Sequence, residues 1–238
     1  MNHRALAGLA GLAAGIVVTV AAAAPASAAT ATIVVPTDFD PTLSDTRATG
    51  HYEVVGTGLH IWTEGSTSTD KVAEYVAAPA PLAVVGEPSL DYAPTTGTIP
   101  PGFQLVVDFD NDGAIDGILV GEPVYGGDWW LSNSSAQFVK DGAPSHTGGS
   151  GSDNHGTLDA WRAAFPEAQV DFIGFSLGSG VLGDGVLEAL NYNGTRYTFA
   201  QAVVLAGKQD CKNGGWATST DPVFRNQGDC VSSFASGR

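Results

Sequence analysis

Asp108-Phe109-Asp110-Asn111-Asp112-Gly113-Ala114-Ile115-Asp116 sets four carboxylates around one glycine in nine residues. Calcium takes about six to eight hard oxygens, and closely spaced acids on a turned loop aim several of them at one point while Gly113 permits the sharp turn. A helical EF-hand would need Glu at the twelfth position, which is Leu119, so that version fails. The same residue types also favour a solvated Asp/Asn/Gly hairpin turn. A second candidate, Gly174-Phe175-Ser176-Leu177-Gly178, matches the G-x-S-x-G elbow of serine hydrolases and follows an apolar run. All five histidines precede Ser176, and the Gly-rich stretch 178–185 is a poor helix, so the pattern reads as strand and no catalytic residue is assigned. An order-independent arrangement of Ser176 with His146 or His155 has no positive support.

Aromatic side chains offer a third kind of chemistry, because a ring face with polar groups at its edge suits a sugar ring. Trp62, Tyr125, Trp129 and Trp130 are the candidates for such binding, with Trp216 further along. Adjacent Trp129 and Trp130 must point to opposite faces of a strand, so at most one of them belongs to a core under a one-sided sheet. The competing role for each is packing. His146, Asp153 and His155, in the Gly- and Ser-rich loop 142–156, read as solvated polar residues.

The elements that must carry these residues are short. Runs of Val, Ile, Leu, Tyr, Phe and Thr punctuated by Gly, Pro, Asn and Asp predict strands over 31–35, 50–55, 58–63, 103–109, 117–121, 129–131, 170–177, 186–192, 195–199 and 202–205. Asn193-Gly194 between two such runs is a two-residue hairpin signal. One helix is expected over 158–165, capped by Thr157 and stopped by Pro166. Residues 77–88, with three prolines, read as irregular.

Residues 1–28 read as a secretory signal. Arg4 precedes an apolar run that ends at Ala26-Ser27-Ala28, the order of a cleaved export sequence. A retained membrane helix of about 20 residues is the alternative, and no later run is long enough to span. Cleavage takes Arg4 from the 10 Lys and Arg, leaves the 25 Asp and Glu, and moves the net charge from −15 to −16. So acidic a chain is repelled by nucleic acid and anionic lipid. Cys211 and Cys230, the only cysteines, are expected to form one bridge in an oxidising compartment, worth roughly 3 kcal/mol.

The acidic stretch resembles the calcium loop between two strands in integrin-type propeller repeats and related secreted modules. That resemblance implies side-chain oxygens from Asp108, Asp110, Asp112 and Asp116 and a main-chain oxygen from Ala114, with calcium in a structural role; it covers nine residues in one copy and implies no propeller. Val170 to Phe199 resembles the closing strands of jelly-roll, galactose-binding-like modules. With Gly58 to Tyr75 and Phe103 to Ser135, it is similar to uncharacterised secreted proteins of high-GC Gram-positive bacteria. The tail from Cys211 to Cys230 resembles a C-terminal element of other exported bacterial proteins.

These readings combine into a mainly β chain: a jelly-roll-like antiparallel β-sandwich over 29–205 with one short helix, and a disulfide-closed element over 206–238. The expected function is a secreted, non-catalytic binding or cell-surface-associated module for cell-wall or environmental polysaccharide. The rivals are an exported hydrolase using Ser176 or the acidic loop, and a structural envelope protein without a small ligand.

Overall fold

The computed structural model describes residues 28–97, 99–149 and 151–236; the export signal expected over 1–28 lies, but for its last residue, outside the described residues. Side chains alternate between inside and outside along the strands. In β3 (Gly58–Thr63), Leu59, Ile61 and Thr63 turn inward while His60 and Trp62 face out. In β6 (Gly102–Asp108), Phe103, Leu105 and Val107 enter the main core. Val106 joins a small outer cluster with Ala73 and Tyr75, so β6 is covered on both faces.

The first sheet runs β1 (Ala29–Val35), β12 (Thr195–Gln201), β11 (Asp184–Tyr192), β3 and β2 (Gly50–Val55), with β5 (Ser89–Thr96) also paired to β11. Residues 184–187 of β11 pair with both β3 and β5, and 190–191 with both β12 and β5. β3 and β12 therefore share one edge of β11 in succession, and β5 takes the other. The second sheet runs β4 (Lys71–Pro81), β10 (Gln169–Gly178), β6, β7 (Gly117–Gly121), β8 (Asp128–Leu131) and β9 (His155–Thr157). The chain passes between sheets at β3 to β4, β4 to β5, β5 to β6 and β10 to β11, which makes a two-sheet, jelly-roll-like sandwich. Among the described residues, all pairings are antiparallel except β1 with β12, where Ala29 lies beside Thr195 and Val35 beside Gln201.

Among the described residues, three α-helices form where the sequence signals one. The expected helix is α2 (Leu158–Ala164), whose cap Thr157 accepts from the Ala160 N–H at 3.2 Å. The two additional ones are α1 (Gln137–Asp141) and α3 (Gln227–Ala235), the latter capped by Asn226 accepting from the Asp229 N–H at 2.9 Å. The stretch 77–88 is also more regular than expected. Its first half completes β4, with Ala78 and Ala80 buried and Ala77, Pro79 and Pro81 turned outward. An edge strand tolerates prolines that a central strand would not, and β4 closes its sheet. Residues 202–205 are not a strand: the Val203 N–H turns away to Thr220 Oγ1 at 2.6 Å, docking the chain onto its own tail.

The tail is closed by the Cys211–Cys230 disulfide. Cys211, Cys230 and Phe224 form an apolar cluster with Trp216 and Phe234 that shares no member with the core between the sheets. No described helix is long and apolar enough to cross a membrane. Because the two clusters are separate, the Cys211→Ser, Cys230→Ser double variant should lose roughly 3 kcal/mol within the tail alone. Limited proteolysis should then cut between about residues 205 and 235, while the sandwich keeps its thermal midpoint. A lowered midpoint for the sandwich would show instead that the tail braces the sheets.

Candidate functional site: an acid-rimmed cleft and an acidic hairpin

The loop 109–116 is the turn of the β6–β7 hairpin, closed by the Val107–Gly117 pair. Asn111 and Gly113 adopt positive φ, 59° and 92°, so the chain can curl back over Asp108. The buried Asp108 carboxylate accepts from the N–H groups of Asp112 at 3.2 Å and Gly113 at 2.8 Å. Asp116 Oδ2 accepts from the Phe109 N–H at 2.8 Å. Of the five expected positions, Asp108, Asp110 and Asp116 bring carboxylate oxygens within 4.8 Å of one another. Asp112 turns to the Ala114 N–H at 2.8 Å, outside that group. Partial desolvation, then the charges of Asp112, Asp116 and Asp108, hold the Asp110 carboxyl above the usual range. Asp171, which sequence reasoning passed over, sits at the β10 bulge between Val170 and Phe172 and is raised by burial and by Asp108.

The four expected aromatics do not form one platform. Trp62 lies on the other sheet, stacked on His51 and His60 at centroid distances of 5.0 and 4.4 Å. Trp129 and Trp130 point to opposite sides of β8. Trp129 is buried against the main core, and Trp130 is half-buried with its Nε1–H donating to Glu122 Oε2 at 3.1 Å. Tyr125 stands 41% exposed on the 3-10 turn Pro123–Tyr125 between β7 and β8.

What the turn and β8 do form is one side of a cleft of about 320 Å³, facing the start of β5. Phe103 and Trp129 lie at its base, and Glu87, Ser89, Glu122 and Asp128 bring polar groups to it. The Trp129 indole rests on Gly121, where a Cβ would come within 2.7 Å of the ring. The Trp129 carbonyl accepts from Trp161 Nε1 at 2.9 Å, which ties the base of the cleft to α2. Leu90 and Pro123 are shared with a neighbouring cleft of about 330 Å³ lined by Tyr92, Pro94 and Ile99, so the two adjoin. None of the three carboxylates stood out in the sequence. The one local signal was the pair Glu122 and Asp128 flanking Pro123-Val124-Tyr125-Gly126-Gly127.

Rather than a solvated loop residue, His155 opens β9. Its Nδ1 faces Asp128 Oδ1 at 2.9 Å and its Nε2 faces the Thr147 carbonyl at 3.1 Å. Two acceptors leave only the imidazolium able to satisfy both. His60 is bound likewise, between Asp184 Oδ1 at 3.0 Å and Glu53 Oε1 at 3.2 Å. The bond to Asp128, then that to Thr147, raises His155; for His60, burial pulls downward and the two carboxylates outweigh it. Ser176 is buried within β10 between β4 and β6, and among the described residues its hydroxyl reaches only the Gly178 carbonyl at 3.5 Å. A turn into β11 comes next in the chain, so the strand-to-helix elbow is not formed.

No protein-family model, curated protein or solved structure matches the chain.

Both histidines have folded pKa values above the unfolded one of about 6.5, so each adds stability that is fully present below that pH. It is lost as pH rises through the folded value. The thermal midpoint should therefore fall as pH is raised through the imidazole range, and His155→Asn should flatten part of that slope. Ring-proton NMR of His155 showing titration at or below about 6.5 would contradict the arrangement.

Proposed function

We propose that the chain is a secreted, non-catalytic binding module for carbohydrate, with the cleft between β5 and the 122–129 turn as its site and the 108–116 loop as a structural calcium site. One observation carries the reading: a cleft of about 320 Å³ with Phe103 and Trp129 at its base and polar residues around it, edged at Pro123 by the turn that carries the exposed Tyr125. Ligand sites are commonly concave, mostly apolar and fitted with a few polar groups. A sugar ring matches that pairing, because its apolar face can lie on Tyr125 and Pro123 while its hydroxyls meet the polar groups of the rim. The secreted location is supported by the disulfide, which belongs to oxidising compartments. The resemblance to secreted proteins of high-GC Gram-positive bacteria is consistent with it, and cell-wall or environmental polysaccharide is the partner class.

Calcium at the hairpin is supported by the convergence of Asp108, Asp110 and Asp116, whose mutual repulsion a cation would relieve. Its task there is to stiffen the β6–β7 turn.

Titration against a panel of oligosaccharides tests the module. Tyr125→Ala should weaken binding by about 1 kcal/mol, a factor of roughly five, and Trp62→Ala should leave it unchanged. Silence across neutral and charged glycans would sink the reading, and release of shortened products would give Glu122 and Asp128 an acid–base role instead. For the hairpin, calcium at about 100 times its Kd should add about 2.7 kcal/mol to stability. Chelator should reverse the gain and Asp110→Asn should reduce it; an unchanged melting midpoint at saturating calcium would remove the site.

A further inference from the structure

We infer that the outer edge of β1 is a self-association surface, along which a second copy of the chain pairs antiparallel about Ala31. β1 ends its sheet and, among the described residues, has β12 as its one partner strand. The Ala29 N–H donates to the Gly194 carbonyl at 3.1 Å, and the Val35 carbonyl accepts from the Ala202 N–H at 2.9 Å. Those bonds fix the phase of the strand: residues 29, 31, 33 and 35 turn their backbone groups to β12, and residues 30, 32 and 34 turn theirs outward. Asp38 closes the last of these, its Oδ2 accepting from the Val34 N–H at 2.7 Å and its own N–H donating to the Val34 carbonyl at 2.8 Å. Thr30 and Thr32 keep outward N–H and C=O groups with no hydrogen-bond partner among the described residues, and both are exposed.

What remains of the edge matches itself. With a twofold axis at Ala31, Thr30 of each copy lies opposite Thr32 of the other, and each such pair exchanges both its N–H···O=C bonds. Moving the axis to Thr32 would set Thr30 against Val34, which Asp38 already holds, and moving it to Thr30 would set Thr32 beyond the start of β1. Residues 29–37 carry no charge, so two chains of net charge −15 can meet there with no acid in the paired strands. For the same reason a cationic partner finds nothing to engage. A groove of about 250 Å³ opens beside the edge, lined by Ala31, Ile33, Val76 and Tyr197 among others, so inward side chains of an added strand meet apolar surface. The other sheet edges carry the features that prevent such pairing. Residues 40–47 hydrogen-bond along β4, which ends in Pro79 and Pro81; β5 contains Pro94, β2 contains Glu53, and β9 is only three residues long. One strand pair is a small contact, so the dimer is weak and concentration-dependent.

Sedimentation equilibrium of the full secreted chain, over a dilution series reaching about 1 mM and at low and high salt, tests this. A reversible dimer should form, and high salt should tighten it several-fold by screening the repulsion between acidic chains. Thr32→Pro removes an outward N–H and breaks no bond to β12. It should leave the thermal midpoint in place and weaken dimerisation by about tenfold or more. Ala31→Cys should form an intermolecular disulfide on mild oxidation, because residues paired without hydrogen bonds across antiparallel strands stand about 4.5 Å apart at Cα. Thr198→Cys, one strand further in, should not. A chain that stays monomeric at about 1 mM leaves the edge to some other extended segment and overturns the proposal. A dimer that survives Thr32→Pro, or equal cross-linking of the two cysteine variants, overturns it as well.

Discussion

The seat of the Trp129 indole on Gly121 is the contact that joins core, sheet and cleft. A large ring can lie flat across a neighbouring strand only where that strand presents no side chain, and any Cβ at 121 would press into the indole. With the ring so placed, its edge meets Phe103, 6.3 Å away between centroids, and Phe103 in turn stacks on Tyr192 of the opposite sheet at 6.5 Å. The backbone of Trp129 then anchors Trp161, around which Phe109 and Phe165 gather. One glycine thus fixes how the second sheet meets the first, and the cleft is what remains above that contact.

Polar residues make the complementary choice of which faces stay fixed. Asp128 and Glu122, at the two ends of the exposed turn, are held from the far side by His155 and Trp130. The turn between them needs Gly126 and Gly127, both at positive φ, 64° and 91°, to bring Tyr125 outward while β8 returns to the sheet.

Much of this architecture was legible in the residues. Gly50–Val55, Gly58–Thr63 and Gly117–Gly121 begin and end where their alternation and bordering turns place them. Asn193 and Gly194, both at positive φ, make the expected tight hairpin, and Thr157 caps its helix. β4 and β5 were hidden because Ala and Pro replace the β-branched residues by which strands announce themselves, although Ala78 and Ala80 still alternate with exposed neighbours. α3 escaped because its small polar residues carry a weak apolar stripe. The acidic hairpin could be read because all its groups are local. The cleft could not: its walls come from residues 87–90, 103 and 121–129, brought together by the packing of two sheets. The aromatic candidates are spread over the molecule for the same reason, since strand parity separates Trp129 from Trp130 and Trp62 lies on the other sheet.

The parallel pairing of β1 with β12 has a mechanical corollary. Residue 29 enters at the end where residue 195 lies, and residue 201 leaves at the opposite end, beside residue 35. Tension between those two points runs lengthwise along both strands, so their shared hydrogen bonds bear it together and do not peel apart one by one. A molecule tethered at one side and pulled at the other would meet this seam first, and would give way only when the whole seam sheared.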